Sequence, residues 1–446
     1  RSGPHLGVVV DRVRLRFARA AFGALHTGAM DRFVVRPGGP LSGTVAVEGA
    51  KNSTLKLMAA TLLAEGRHLL SNVPRITDVD TMAEVLAAIG VGVRWTGDHE
   101  LTIECPAELQ PEAPYELVER MRASVVVLGP LLARCGEARV AMPGGDDLGP
   151  RPIDYHLRGL EALGATFETL HGTVHARAGS LSGSRVVLEF PSHTTTDNLL
   201  MAAVRAKGTT VIDNAAREPE VADLAAFLNR MGARIVGAGT STIEVEGVEE
   251  LLPVDHVVIP DRVEAATFLA AVGLAGGEIE IERGRAGHLD MLIQKLGEIG
   301  VRISPTSTGL WAAASGRLRS LDVATLPYPG VASDYKPLLV ALLSVADGVG
   351  IVTENLFSGR WRYVDELRRM GADIRTEGSH AVVRGVPRLS GAPVRAPDIR
   401  AGAALVLAGL AADGETTVSS AFHVDRGYER FAEKLASLGA DVRRER

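Results

Sequence analysis

The stretch AMPGGDDLGPRPIDYHLRGL, residues 141–160, sets Asp146, Asp147, Arg151 and Asp154 close together in a segment rich in glycine and proline. Gly and Pro at that density mark a loop, and the run after Pro152 turns helical. Carboxylates serve proton transfer, and a guanidinium grips phosphate or carboxylate through two parallel hydrogen bonds. Further cations are spread along the chain at Lys51, Arg122, Arg360, Arg400 and Arg426. Gathered in one place with Arg151, they would make a strongly cationic centre suited to a substrate that carries both a phosphate and a carboxylate.

Six copies of one unit provide the means of gathering them. Helix-end glycines recur at Gly90, Gly164, Gly232, Gly300, Gly371 and Gly439. They lie roughly 70 residues apart, and Gly at that place suits the left-handed residue that closes a helix. Upstream of each lies an apolar helical stretch: STLKLMAATLLAEG, RASVVVLGPLLARCG, TDNLLMAAVRAKG, EAATFLAAVGLAGG, SDYKPLLVALLSVADG and IRAGAALVLAGLAADG. Each is apolar nearly all round, which predicts burial. A β-like run and an amphipathic helix follow every one, so the unit is strand, buried helix, strand, exposed helix, strand.

Polar residues collect at the starts of these buried helices: Lys51 and Asn52, Arg122 and Ser124, Ser192 and Thr194, Asp261 and Arg262, Ser333 and Asp334, Asp398 and Arg400. A helix N-terminus offers free N–H groups and about half a positive charge. Ser, Asn and Asp belong there as caps. Capping does not account for Lys and Arg, which the helix dipole disfavours at that end.

Composition narrows the class. With 446 residues, 46% of them hydrophobic, the chain can bury more than one core. A net charge of −6 and the lack of a long basic run argue against nucleic acid as a partner. Cys105 and Cys135 are the only cysteines, which points to a reducing, cytoplasmic setting without a disulfide framework or a Cys-rich metal site. No apolar run reaches transmembrane length, so no membrane partner is expected. Residues 1–29 hold five arginines and no lysine; they are set aside as an expression leftover or upstream translated sequence before Met30, with a targeting segment as the alternative. No Walker A sequence exists, and GAG at 237–239 is too short for a dinucleotide site.

VEGAKNSTLKLMAATLL, RASVVVLGPLLAR, PGGDDLGPRPID, NAAREPEV, DIRAGAALVLAGL and HVDRGYERF resemble, in order, the motifs of the enolpyruvyl transferases. The resemblance runs from Met30 to about Arg443 and is nearest the branch that acts on UDP-N-acetylglucosamine for peptidoglycan precursors. It implies an α/β fold, a two-lobed inside-out α/β barrel of six βαβαββ-type units. One lobe would be residues 30–50 plus 260–446, the other 51–259, with crossings near Gly49–Lys51 and Ile259–Arg262. Residues 141–151 would form a lid, and closure of the lobes would shut water out.

Roles follow by resemblance. Lys51, Arg122, Arg151, Arg360, Arg400 and Arg426 would clamp phosphoenolpyruvate, with Lys51 and Arg426 among the catalytic groups. The family lid usually reads PGGC, and its Cys protonates C3 of phosphoenolpyruvate; Asp146 stands there, able to serve if burial and neighbours keep it protonated. Asp147 fits better as a solvated loop charge. Asp334 resembles the base that takes the acceptor's hydroxyl proton. Asn52 would hold the sugar and Asp154 would lie beside uracil. Pro152, Ile153, Tyr155, Ser192, His193, Thr194 and Leu356 would complete the nucleotide pocket, lined also by His156. Glu218 would position Lys51 or the lid, or form a structural ion pair. The chemistry needs no metal and no cofactor. Fosfomycin, which alkylates the family's lid Cys, loses its thiolate target here.

Three departures concern the acceptor. Family SVGAT is Ser192-His193-Thr194-Thr195-Thr196, FPTD is Val331-Ala332-Ser333-Asp334, and FENR is Phe357-Ser358-Gly359-Arg360. Thr194 in place of Gly removes a close backbone approach. The resemblance thus implies UDP-N-acetylglucosamine as acceptor, or a smaller nucleotide such as UMP, as in relatives serving nucleoside-antibiotic pathways. A non-catalytic uridine-nucleotide binder is the reading from another class.

Overall fold

The computed structural model describes residues 31–146 and 152–446. Six helices are buried nearly all round: α1 (Lys51–Ala60), α2 (Leu128–Cys135), α3 (His193–Ala203), α4 (Arg262–Ala275), α5 (Lys336–Val345) and α6 (Ile399–Leu410). Their Ala and Gly content lets backbones approach closely. A Cβ on Gly129 of α2 would stand 2.3 Å from the Asn198 carbonyl oxygen of α3.

Each buried helix lies under a four-stranded sheet of one design, a parallel pair followed by two antiparallel strands. One sheet runs Asp255–Val257, Gly66–Ser71, Glu100–Cys105, Gly92–Gly97, and five others repeat its order. The strands alternate buried and exposed residues, as in Thr242–Glu246, so one sheet face meets water and the other the helices. The helices are inside and the sheets outside, as expected. No sheet among the described residues closes on itself, so the barrel of the sequence-based expectation is a set of open sheets around helices. The six recurring glycines have φ of +102°, +98°, +109°, +114°, +87° and +91°, the left-handed helix ends that their spacing predicted.

Two hydrophobic cores form. Residues between Phe33 and Val47 join those between Val263 and Val442 in one, and residues between Leu55 and Val258 make the other. Two strands trade places to achieve this. Leu41–Ala46 precedes α1 but pairs in parallel with Gly277–Glu282 of the first core. Asp255–Val257 precedes α4 but pairs in parallel with Gly66–Ser71 of the second. Between them the chain crosses twice, side by side, and Gly49 bridges Pro260. The crossing is tight: a Cβ on Gly49 would lie 1.7 Å from the Asn72 carbonyl oxygen. Arg32–Arg36 completes the last sheet between Thr416–Ser419 and Asp441–Glu445.

Candidate functional site

The starts of all six buried helices face one cavity of about 630 Å³ between the two cores. Lys51 and Asn52 come from α1, Ser192 to Thr195 from the start of α3, Arg262 from α4 and Arg400 from α6. Short 3₁₀ turns preceding α2 and α5 supply Arg122 and Asp334. Asp261 and Asp398 are true caps, each accepting two backbone N–H groups of its helix. The cations beside them are not caps; they face a common space together with Arg360 and Arg426.

Lys51, Arg360, Arg400 and Arg426 are each held by a carboxylate that also lines the cavity, and Arg262 pairs with Glu220 at 2.9 Å. Asp78 takes Lys51 Nζ at 2.7 Å on one oxygen and Arg426 Nε at 2.8 Å on the other. Asp146 accepts from Arg426 Nη1 and lies 3.6 Å from His423 Nδ1. Asp334 accepts from Arg360 Nη1 at 2.7 Å and lies 3.4 Å from Arg400 Nε. Arg122 donates to the Pro152 carbonyl at 3.2 Å. Arg360 Nε and Arg400 Nη1 are buried with no hydrogen-bond partner among the described residues. Unspent donors of this kind mark a place prepared for an anion.

The electrostatics bear on the condition set for Asp146, that burial and neighbours keep it protonated. Burial does push its carboxyl up, but the contact with His423 and the charges of Arg426 and Lys51 together win, holding it at about 2. Asp146 is therefore a carboxylate. Asp334 behaves alike: burial raises it, and Arg360 and Arg400 bring it well below the usual carboxylate range. Lys51 is lowered by burial, opposed by Asp78.

The cavity wall also contains Asn52, Pro152, Tyr155, His156, Ser192, His193, Thr194 and Leu356. His156 is buried against Asn198 Nδ2 at 3.0 Å and falls to about 3, so it is neutral. His193 is pushed well below its usual value by burial and by Lys56. Lys56 Nζ lies 3.5 Å from His193 Nε2 and 3.6 Å from Asp197, whose burial lifts it to about 7. Glu218 lines the cavity and is raised by burial, with Arg262 opposing. Ile153 and Asp154 do not line the cavity. Ile153 packs into the second core, and Asp154 opens the helix Asp154–Ala162 and pairs with Arg158 at 3.3 Å. Asp147 and Arg151 lie outside the described residues.

Reading the sequence did not reveal Asp78, His423 or the Lys336–Glu354 pair behind Asp334. Glu354 accepts from Thr325, Ser333, Lys336 and the backbone N–H groups of Leu356 and Phe357. It thereby ties the turn bearing Asp334 to the segment bearing Leu356 and Arg360. An acid in a helix first turn, such as Asp78, looks like ordinary dipole compensation, and only distant partners reveal its work.

The model of EPSP synthase (3-phosphoshikimate 1-carboxyvinyltransferase) matches residues 35–435. The UDP-N-acetylglucosamine 1-carboxyvinyltransferase of Anaeromyxobacter sp. (strain Fw109-5) is 52% identical over 421 residues, spanning 94% of this chain and 100% of that protein. That of Mycobacterium tuberculosis (strain CDC 1551 / Oshkosh) is 51% identical over 414 residues, spanning 93% and 99%. Among solved structures, the enolpyruvyl transferase NikO from Streptomyces tendae superposes with a TM-score of 0.84 at 28% identity, covering 93% of this chain and 99% of that one. An EPSP synthase from Acinetobacter baumannii, at 20% identity and a TM-score of 0.71, shares the fold.

Proposed function

This chain belongs to the EPSP synthase family, and from that membership we propose that it is an enolpyruvyl transferase: it moves the enolpyruvyl group of phosphoenolpyruvate onto a hydroxyl of UDP-N-acetylglucosamine and releases phosphate. The carrying observation is the convergence of Lys51, Arg360, Arg400 and Arg426 on one cavity with Asp146 and Asp334. Identity of about half to carboxyvinyltransferases named for UDP-N-acetylglucosamine supports the acceptor and a role in peptidoglycan precursor synthesis.

In this reading the carboxylates hold the place of the substrate's anions. Phosphoenolpyruvate brings a phosphate and a carboxylate to the guanidinium groups that Asp146 and Asp334 contact. As Arg360 and Arg400 turn to the substrate, Asp334 regains basicity and accepts the acceptor's hydroxyl proton. As Arg426 turns away, Asp146 can be protonated and serve as acid toward C3. The hydroxyl oxygen bonds to C2, the C3–H bond forms, and a tetrahedral adduct results. Loss of a C3 proton and cleavage of the C–O bond to phosphate leave the enol ether. Fixed cations stabilise the charge that develops, with no reorganisation at the moment of reaction. The two cores act as the lobes 30–50 plus 260–446 and 51–259, closing on the substrates, with residues 141–151 as the lid. Among the described residues no helix is long and apolar enough to cross a membrane. A cytoplasmic setting belongs to the same proposal, and Cys105 and Cys135 are free thiols.

A second reading keeps the donor and changes the acceptor to UMP or a similar nucleotide. His193 and Thr194 favour it, because side chains stand in the cavity wall where the family pattern has Val and Gly. Phosphate release from phosphoenolpyruvate, with UDP-N-acetylglucosamine or UMP as acceptor and the product weighed by mass spectrometry, decides. Turnover with the sugar nucleotide supports the first reading, and turnover with UMP alone the second. Binding without phosphate release from either would leave a nucleotide binder.

A further inference from the structure

A general acid that is a carboxylate in the resting site must receive a proton before it can give one. Arg426, Lys51 and His423 stand around Asp146. Arg426 does not give up its proton in a protein. Lys51 directs its ammonium to Asp78 at 2.7 Å. His423 remains, and its geometry suits the task. Its Nδ1 is buried and faces Asp146 Oδ1 at 3.6 Å. About 20% of its side chain is open to water, and its ring lies tilted against Phe422, centroids 4.2 Å apart. The charged groups around this pair are Asp146 from the loop after Glu137–Ala141, Lys51 from α1, Asp78 from Thr77–Ile89, and Arg426 beyond the C-terminal end of its own short helix. Asp425 on that helix is turned onto Arg444.

We propose that His423 is a positioning residue that hands Asp146 its proton. The inference rests on Asp146 being the acid of the proposed reaction. As substrate phosphate draws Arg426 away, the Nδ1–H bond of the imidazolium breaks and an O–H bond forms on Asp146. That O–H bond then breaks as the C3–H bond of phosphoenolpyruvate forms, and water reprotonates the imidazole. A buried nitrogen facing the acid, on a ring that touches solvent, is the arrangement such a relay needs.

The test uses the full chain, with His423→Asn made in the native protein and in an Asp146→Cys background. A cysteine thiol carries its own proton at neutral pH, with an ordinary pKa of about 8.5, and needs no relay. With Asp146 present, His423→Asn lowers kcat roughly 30-fold, leaves KM for phosphoenolpyruvate within about twofold and flattens the alkaline side of the kcat–pH profile. In the Asp146→Cys background the same change costs less than about threefold. His423→Gln serves as the second variant if His423→Asn fails to fold. Equal losses in both backgrounds, or an unaltered pH profile, would overturn the proposal and leave His423 a packing residue. Full turnover by Asp146→Asn would instead sink the assignment of Asp146 as the acid, a failure separable from the first.

Discussion

Asp78 holds Arg426 across the gap between the two cores, with Oδ1 2.8 Å from Nε, and its second oxygen takes Lys51 Nζ at 2.7 Å. The two cations stand on different cores, so one buried carboxylate ties them together.

Asp78→Asn leaves two cations facing each other without their shared counter-charge. Removing one partner of a buried ion pair costs about 3–5 kcal/mol. The expected outcome is a large fall in Tm for the empty protein, with saturating phosphoenolpyruvate restoring more of it than the same ligand adds to wild type. Thermal scans with and without phosphoenolpyruvate check this, and an equal ligand-induced rise in both proteins would count against it.

Acid should undo the Asp146 contact over a defined window. Its carboxyl titrates at about 2 in the fold, against about 3.9 when unfolded. A lowered carboxyl stabilises the fold above its unfolded value and loses that contribution as pH falls through the folded one. The contribution of about 2 kcal/mol is therefore complete above about pH 4 and fades toward pH 2. The Tm difference between wild type and Asp146→Asn should narrow over that interval; a constant gap would contradict the assignment.

Fosfomycin should not inactivate this protein with time, because Asp146 offers no thiolate to the epoxide. Asp146→Cys should acquire time-dependent inactivation and a mass increase on the peptide containing residue 146. Progress curves and intact-mass spectra read both. An adduct on wild type in this loop would refute the expectation.

Gly49→Ala probes the crossing. The added methyl would meet the Asn72 carbonyl oxygen at 1.7 Å, and backbone must move to admit it. Overpacking of this kind costs about 3 kcal/mol. A marked drop in Tm is expected, whereas Gly90→Ala meets nothing within 4 Å and suffers only the strain of its φ of +102°. Equal Tm values for the two variants would show the crossing to be looser than its geometry.

The repeating parts of the molecule were readable in the sequence because they are local. A glycine closing an amphipathic helix and a polar start to an apolar helix each declare themselves within a few residues, which is why Lys51, Asn52, Arg122, Asp334 and Arg400 could be named. The missed residues work through partners distant in the chain. Asp78 is defined by Arg426, Glu354 by Lys336 and Ser333, and His423 by Asp146. The ionisation of Asp146 was not legible for the same reason: burial is written in the apolar pattern, but the groups that outweigh it, Lys51 and the stretch from His423 to Arg426, arrive from two other segments. Nor does anything local reveal the trade of Leu41–Ala46 for Asp255–Val257, since either strand would suit either sheet.

That trade has a consequence for ancestry and engineering. Residues 51–258 leave and re-enter the rest of the protein through adjacent strands, and Arg32–Arg36 lies against Asp441–Glu445 in a single sheet. Each half is therefore nearly a closed ring of three units, and the two rings meet at one doorway. Residues 51–259 could be excised at the doorway and Ala50 joined to Pro260, giving two separately encoded chains that retain every strand partner they have now.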